Sequence, residues 1–307
     1  MAGLNDNLNG IICINKPEGF TSFDVIAKMR GILKLKRLGH AGTLDPMATG
    51  VLPVFAGRAT KACDIIPDRD KTYEAGFKLG LVTDTQDSSG NVTEEKNADN
   101  ITAEDIEEAL CGFRGDIMQI PPMYSAVMIN GQRLYDLARQ GKTVEREARP
   151  VTIYSLELLE YDNVKNEGRL SVSCSKGTYI RTLINDIGDI LGCGGIMTSL
   201  VRTKACGYNL KDCVSLEDLQ KLADEGISAE KYLCPIDKVF GEYDRIKLNP
   251  HQEKLYRNGV KLDLDRVNIK LSDSSKDIFR VYGADGAFIG LAQAKLETRE
   301  LGVYKNF

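Results

Sequence analysis

The sequence has few of the residues on which imidazole and metal chemistry depend. Only His40 and His251 carry imidazole groups among 307 residues. A site built from several histidines is therefore excluded, and a Ser-His-Asp triad is disfavoured. The eight cysteines are never closer than seven residues apart, so the spacing of a CxxC redox pair or a zinc site is absent. We expect buried thiols in a reducing compartment and no bound metal.

The chain also lacks long apolar runs. No segment is apolar over the length of a membrane span, and the first ten residues, MAGLNDNLNG, are neither basic nor apolar. These features predict a cytoplasmic protein without membrane contact. With 42% hydrophobic and 27% charged residues, the chain is globular in composition and long enough for two domains.

A large excess of basic residues is absent too. The net charge is −4, which by itself does not favour a nucleic-acid partner. Residues 84–108, however, contain nine acids and one lysine, so the rest of the chain carries a net charge of +4. The simplest interpretation of this acidic stretch is a solvated face. Residues 25–63, in contrast, contain seven Lys or Arg and a single acid, Asp45.

Hydrophobic periodicity and turn residues predict an α+β fold with a mixed sheet. Capping patterns predict helices that begin near Thr21, Thr102 and Ser215. Glycines and prolines in residues 39–57 predict mostly loop and tight turn there. From about Gly241 the pattern changes to short strands, with a hairpin signal at Ala284-Asp285-Gly286, which predicts a small β-rich second domain. The predicted strands lie at residues 10–15, 72–80, 151–161 and 169–174, and a short helix is predicted at 132–140.

Two glycine-containing segments only imitate nucleotide-binding motifs. Gly141-Lys142-Thr143 has the end of a phosphate-binding loop, but Asp136 stands where that loop requires glycine. The glycines at 192–195 follow a predicted helix instead of opening one. We therefore expect neither nucleotide hydrolysis nor a dinucleotide cofactor.

Asp45 has two interpretations from the residues alone. An aspartate followed by proline is a common helix N-cap with Pro at the first helical position. A carboxylate in basic, glycine-rich sequence should also remain ionised, because nearby cations favour its charged form. Such an anion is suited to nucleophilic or acid-base chemistry on a negatively charged substrate. The residues alone do not decide between these interpretations.

The sequence around Asp45 resembles the signature of the bacterial tRNA pseudouridine-55 synthases of the TruB type. The resemblance begins with Gly39-His40-Ala41-Gly42-Thr43-Leu44-Asp45-Pro46 and covers roughly residues 10–210. Further stretches typical of that family follow in the same order: Asn15-Lys16-Pro17, Lys71-Thr72-Tyr73, Pro121-Pro122-Met123-Tyr124-Ser125-Ala126, Arg146-Glu147-Ala148-Arg149-Pro150 and Lys176-Gly177-Thr178-Tyr179-Ile180-Arg181.

The resemblance implies a fold, a domain division and a reaction. It implies a pseudouridine-synthase domain over residues 1–240 with a mixed, mainly antiparallel sheet, and a small PUA-like RNA-binding domain over residues 241–307. The implied reaction is the isomerisation of uridine to pseudouridine in the T loop of tRNA, at position 55, without a cofactor or metal. We therefore expect the tRNA T stem-loop as partner, no guide RNA, no membrane and a monomeric enzyme.

The resemblance also implies residue roles. Asp45 is expected to act at the ribose, by addition or through a glycal route. Arg181 is expected to pair with Asp45 through a bidentate guanidinium and to hold the aspartate pKa low. Tyr73 is expected to stack on the target base and to move a proton, whereas Leu200 and Tyr179 are expected to contact the base.

Two further residues and one segment complete the implied site. His40 is expected to fill the place that the flipped uridine leaves, and Lys16 is expected to contact phosphates together with the basic helix at 28–37. Residues 121–150 correspond to a mobile thumb segment that closes over the RNA loop.

Three alternatives remain at the level of sequence. Guide-RNA-directed relatives lack the thumb insertion, so residues 121–150 favour a stand-alone enzyme. An RNA-folding chaperone with secondary catalysis needs the same basic surface but does not require Asp45. Isomerisation of another RNA is disfavoured, because related synthases that act on ribosomal RNA have a different motif around the aspartate.

Overall fold

The computed structural model describes residues 8–267 and 277–307, and the fold is α+β as predicted. Strands form two main sheets and two short hairpins. The strands are β1 (Gly10–Lys16), β2 (Leu38–His40), β3 (Thr49–Ala56), β4 (Lys71–Leu79), β5 (Leu81–Thr83), β6 (Val92–Glu95), β7 (Gly115–Gln119), β8 (Met128–Ile129), β9 (Gln132–Arg133), β10 (Arg149–Asp162), β11 (Glu167–Cys174), β12 (Gly195–Ala205), β13 (Tyr208–Asn209), β14 (Asp244–Lys247), β15 (Leu262–Asp263), β16 (Ile278–Tyr282), β17 (Phe288–Lys295) and β18 (Glu300–Asn306). The helices are α1 (Ser22–Leu33), α2 (Ala103–Cys111), α3 (Leu134–Arg139), α4 (Ile180–Ile190), α5 (Leu216–Asp224) and α6 (Pro250–Arg257).

The larger sheet has the strand order β1-β3-β12-β4-β11-β10-β7, with β2 paired to β3 and β13 paired to β12. Its pairs are antiparallel except β3 with β12. The short parallel contact places Val201 opposite Thr49 and Arg202 opposite Gly50. As a result, the loop that carries Asp45, between β2 and β3, lies beside the middle of β12.

The predicted helix starts are confirmed for three helices. Thr21 and Thr102 each form a capping box with the aspartate three residues later, and Ser215 accepts a hydrogen bond from the backbone of Asp218. These caps satisfy amide groups that a helix N-terminus otherwise leaves unpaired. Within residues 8–267 and 277–307, no helix has the length and apolar character needed to span a membrane.

The prediction for residues 39–57 was wrong in its second half. Residues 49–56 form the buried strand β3, whose side chains from Gly50 onward are shielded from solvent. Gly50 has a φ of 103°, and a Cβ there would lie 2.3 Å from the carbonyl oxygen of Arg202. The glycine therefore permits close pairing with β12 and does not mark a turn. Burial of an apolar run between two strands outweighs the local turn signals.

Two glycines bring α4 against β12. A Cβ on Gly188 would lie 2.2 Å from the backbone nitrogen of Gly195, so only glycine fits this contact. On the adjoining helix face, Leu183, Ile184 and Ile187 are buried in a core that includes Met197 of β12. This packing fixes the direction in which the first turn of α4 approaches the sheet.

The second main sheet has the order β14-β16-β17-β18-β15 and is β-rich, as predicted from about Gly241 onward. The predicted hairpin at Ala284-Asp285-Gly286 joins β16 to β17. One apolar cluster extends from this sheet into the larger one and includes Phe55, Phe240 and Phe307. The two sheets therefore share buried surface.

Two further expectations have mixed outcomes. The cysteines are free thiols, but Cys111 is exposed whereas Cys13, Cys174, Cys193 and Cys206 are buried. The helix expected at 132–140 is shorter, because residues 132–133 pair with β8 before α3 begins.

Candidate active site

An open cavity of about 1260 Å³ lies over the centre of the larger sheet. Its walls come from the loop at 41–47, strand β4, the β5–β6 hairpin, the segment at 124–139 and the start of α4. Five basic and four acidic side chains line it, so the cavity itself carries little net charge. Among the residues that the structure describes, no three His, Cys, Asp or Glu side chains are grouped so as to hold a metal ion.

Asp45 begins a turn at the floor of this cavity. Ala48 N–H donates to the Asp45 carbonyl over 3.1 Å, and no helix follows. The helix N-cap interpretation of Asp45 is therefore wrong. Its side chain is 38% exposed, on the side that faces the cavity.

Buried groups hold the backbone on both sides of Asp45. The Leu44 N–H donates to Ser22 Oγ over 2.8 Å, and Arg202 Nη2 donates to the Gly42 carbonyl over 3.1 Å. The Arg202 side chain is fully buried, and its Nε also donates to Val51 over 2.8 Å. Because the buried side chains of Ser22 and Arg202 bond backbone groups on both sides of Asp45, the loop holds Asp45 in one place.

Arg181 pairs with Asp45 as the sequence predicted. Its Nε lies 3.0 Å from Asp45 Oδ2, and the arginine side chain is only 7% exposed. The contact uses one nitrogen, so the expected bidentate pair is wrong. The remaining guanidinium groups donate to the carbonyls of Thr85 (3.2 Å) and Tyr124 (2.9 Å). Arg181 thereby joins three walls of the cavity.

Asp87 is the residue that the sequence analysis missed. It lies in the acidic stretch interpreted as a solvated face, yet its side chain is 5% exposed, with Oδ2 3.4 Å from Arg181 Nη1. Its other oxygen accepts from Thr85 Oγ1 (2.7 Å) and from Ser89 N–H (3.0 Å). A cation in the first turn of a helix is disfavoured by the helix dipole, and the two carboxylates offset that effect for Arg181. The DTQDSSG turn sequence at 84–90 was the available signal.

The pKa of Asp45 differs from the expectation. Burial raises it and Asp87 adds to the rise, while the positive charges of Arg181 and Lys16 lower it, and the net direction is upward. The prediction that Arg181 holds this pKa below its usual range is therefore wrong, because desolvation of the carboxylate outweighs the ion pair.

Tyr73 and Leu200 lie together at the cavity. Both line the cavity, from the adjacent strands β4 and β12, and both are largely buried. Burial raises the pKa of Tyr73 to about 12, with a smaller opposing effect from Arg202. At neutral pH its phenol is therefore protonated, and it is a hydrogen-bond donor with an apolar ring face.

The structure does not place Lys16 on an RNA-facing surface, so that prediction was wrong. The side chain is fully buried, and its ammonium group donates to the carbonyls of Pro17 (2.9 Å), Phe20 (2.5 Å) and Pro46 (3.1 Å). Burial lowers its pKa to about 8. Lys16 therefore ties the Asp45 turn to the loop before α1.

His40 and Tyr179 flank the site in different ways. His40 is half-buried at the end of β2, and its Nδ1 has no hydrogen-bond partner among the described residues. Burial and the Arg202 charge lower the His40 pKa, which favours the neutral ring. Tyr179 lines the cavity as the residue that precedes α4.

The chain matches known proteins along most of its length. Residues 30–180 match the model of the TruB family pseudouridylate synthase N-terminal domain, and residues 181–240 match that of the tRNA pseudouridylate synthase B C-terminal domain. A protein of Clostridium tetani named tRNA pseudouridine synthase B is 44% identical over 290 residues, which are 94% of this chain and 97% of the relative. One of the same name from Dehalococcoides mccartyi is 43% identical over 94% of both chains.

Solved structures support the same fold. A chain in the crystal structure of a Cbf5-Nop10-Gar1 complex aligns with a TM-score of 0.72 and 25% identity, over 97% of this chain and 85% of that one. A chain in the structure of an H/ACA RNP bound to a substrate RNA containing 2′-deoxyuridine aligns with a TM-score of 0.71 and 24% identity, over 97% and 84%. The fold and the matching relatives are those of a pseudouridine synthase. The chain belongs to the TruB family of pseudouridylate synthases.

Proposed function

We propose that this enzyme isomerises uridine 55 in the T loop of tRNA, acting alone and without a cofactor. The ion pair of Asp45 with Arg181 at the floor of the cavity is the observation that carries the proposal. The names of the relatives support tRNA as the substrate.

The reaction breaks the bond from ribose C1′ to uracil N1 and forms a bond from C1′ to C5. N1 gains a proton and C5 loses one to solvent, so no electrons are exchanged with a partner. Asp45 acts at the ribose as the ionised carboxylate, either by addition to C1′ or by elimination through a glycal. Arg181 orients this carboxylate through the 3.0 Å contact. The walls of the cavity retain the uracil while it rotates.

A uridine in a folded loop must leave its stack to reach Asp45, at a free-energy cost of about a few kcal/mol. Tyr73 and Leu200 offer the extruded base an aromatic face and an apolar contact. His40 fills the vacated position in the RNA loop. The segment 121–150 acts as a thumb that closes on the RNA, since its residues Tyr124 and Tyr135 already line the cavity.

The basic face of α1 supplies the long-range attraction that the balanced cavity lacks. Its exposed residues include Lys28 and Arg30, and Lys34, which follows the helix directly, is exposed as well. RNA binding should therefore weaken steeply as salt rises, despite the net charge of −4. We assign catalysis to residues 1–240 and additional RNA contact to a PUA-like domain at 241–307. We further propose that the enzyme is cytoplasmic, that it is a monomer and that it acts without a guide RNA.

Tritium release tests the proposal directly. An unmodified tRNA transcript labelled at C5 of uridine is incubated with wild type, Asp45→Asn and the matched control Glu18→Gln, an exposed carboxylate at the edge of the same cavity. We expect release by wild type and Glu18→Gln only, with RNA affinity of Asp45→Asn within several-fold of wild type. A transcript with cytidine at position 55 should release nothing.

Other outcomes would replace the proposal. Turnover by Asp45→Asn would show that the Asp45 carboxylate is not required for the reaction. RNA binding without release from any variant would favour an RNA-folding chaperone. Release from the cytidine-55 transcript would assign another uridine as the target.

A further inference from the structure

A buried amide lies between the thumb segment and the helix that carries Arg181. Gln119 is the last residue of β7, two positions before the segment 121–150 begins, and its side chain is 2% exposed. Its Oε1 accepts from the Tyr179 N–H over 2.7 Å, and its Nε2 donates to the Tyr179 carbonyl over 3.0 Å. The side-chain amide thus bonds both backbone groups of one residue, as a neighbouring strand would.

This contact acts on the start of α4. Tyr179 precedes the helix and has no side-chain cap, while Arg181 is the second helical residue. The Tyr179 carbonyl also accepts the first helical hydrogen bond, from Leu183 N–H over 3.0 Å. Gln119 and the helix together occupy both lone pairs of that oxygen, which fixes the peptide plane from which the helix begins.

The position of the Arg181 guanidinium depends on the orientation of that peptide plane, because the guanidinium contacts several groups at once. It contacts Asp45 and Asp87 and donates to the carbonyls of Thr85 and Tyr124. A small rotation of the first helical turn moves the Nε–Oδ2 contact of 3.0 Å with Asp45. Tyr124 belongs to the thumb segment, and Gln119 lies just before that segment. The two residues therefore connect the thumb segment to the first turn of α4 at two points.

We propose that Gln119 is a positioning residue that sets the approach of Arg181 to Asp45 and ties it to the root of the thumb segment. Gln119 itself does not line the cavity, and it reaches the site only through Tyr179, which does. Its effect is exerted through Tyr179 and Arg181. The inference rests on the proposed function, because its readout is the rate of uridine isomerisation.

The test separates rate from binding. Gln119→Met keeps the length of the side chain and removes both hydrogen bonds, whereas Gln119→Glu keeps an oxygen acceptor for the Tyr179 N–H. The matched control is Gln293→Met, at an exposed position of β17. Single-turnover rates at saturating enzyme, tRNA affinity and thermal unfolding are measured for each variant.

We expect Gln119→Met to slow the single-turnover rate by about 10- to 100-fold, the size of effect that an ångström-scale misplacement produces. Affinity for tRNA should change by less than about three-fold, because the lost interaction serves the transition state. Gln119→Glu should retain more of the rate than Gln119→Met, and Gln293→Met should match wild type.

A double-mutant cycle with Arg181→Lys identifies the route of the effect. If Gln119 acts through Arg181, the slowing by Gln119→Met is smaller in the Arg181→Lys background than in wild type. An unchanged single-turnover rate for folded Gln119→Met, or an equal loss of affinity and rate, would overturn the inference. If Gln119→Met does not fold, Gln119→Glu is judged by the same criteria. The wild-type rate reports the proposed function independently, so the two failures are distinguishable.

Discussion

Asp45 and Asp87 are held by one guanidinium, 3.0 Å from its Nε and 3.4 Å from its Nη1. The two carboxylates differ in exposure: Asp45 is open to the cavity at 38%, whereas Asp87 is 5% exposed and accepts hydrogen bonds from its own turn. One carboxylate is therefore available to a substrate, while the other keeps the arginine in place.

The pH dependence of catalysis follows from the pKa of Asp45. In the proposed mechanism the reaction uses the ionised carboxylate, and burial raises its pKa above the usual aspartate value. Activity should therefore fall on the acidic side as pH drops through this raised pKa, at a higher pH than for an exposed aspartate. The profile of kcat/KM for tRNA, measured over pH ranges in which the fold is intact, checks this. An acidic limb at or below the ordinary aspartate pKa would contradict it.

Replacement of Asp87 should slow catalysis and shift the pH profile. Asp87→Asn removes a negative charge that raises the pKa of Asp45, so the acidic limb should move to lower pH. Loss of a charged partner of Arg181 should reduce kcat by about 10-fold or more. The control Asp84→Asn changes an exposed aspartate of the same hairpin, and its profile should match that of wild type. Identical profiles for Asp87→Asn and wild type would show that Asp87 does not act on the pair.

Lys16 should contribute to stability and not to phosphate binding. Lys16→Met leaves three partly buried carbonyls without their donor, which should reduce the free energy of unfolding by about 1–3 kcal/mol. The exposed control Lys28→Met should leave stability unchanged. Chemical denaturation of both variants measures the difference, and salt titrations of tRNA binding should show an unchanged slope for Lys16→Met.

The same lysine gives wild type a characteristic pH response. Because its folded-state pKa is lowered to about 8, the unfolded chain binds more protons above this pH, and stability rises as pH increases from there. Lys16→Met should lack this rise. An equal rise in both proteins would assign it to another group.

The shared apolar cluster predicts that the two sheets unfold together. Phe307 is largely buried, with its ring centroid 5.7 Å from that of Phe240 and 5.6 Å from that of Phe288. Phe307→Ala should lower the free energy of unfolding by about 3 kcal/mol. Tyr304→Ala, at a position 42% exposed, is the control. Two separated thermal transitions in wild type would argue against joint unfolding.

Local signals predicted the parts of the fold that depend on local chemistry. The capping boxes at Thr21 and Thr102 and the hairpin at Ala284-Asp285-Gly286 involve residues a few positions apart, and all three are confirmed. Strand β3 was missed because its stability comes from partners distant in sequence. Its glycine and proline are accommodated only beside β12 and β1.

The site was predicted in part for the same reason. The resemblance supplied Asp45, Arg181 and Tyr73, and the structure brings them to one cavity. The burial of Asp87 and Lys16 depends on how loops distant in sequence pack, which composition does not report. An acidic stretch and a lone lysine look solvated until the surrounding chain is in place.

The position of β12 has a consequence for synthesis on the ribosome. This strand lies between β3 and β4, although it comes much later in the chain than either. While the polypeptide emerges, β3 and β4 each have one edge that lacks its partner strand β12. The nascent chain therefore exposes two unpaired strand edges that can pair with other chains. Insertion of a late central strand closes both edges in one step, so the carboxylate and its arginine meet only when nearly all of the larger sheet has left the exit tunnel.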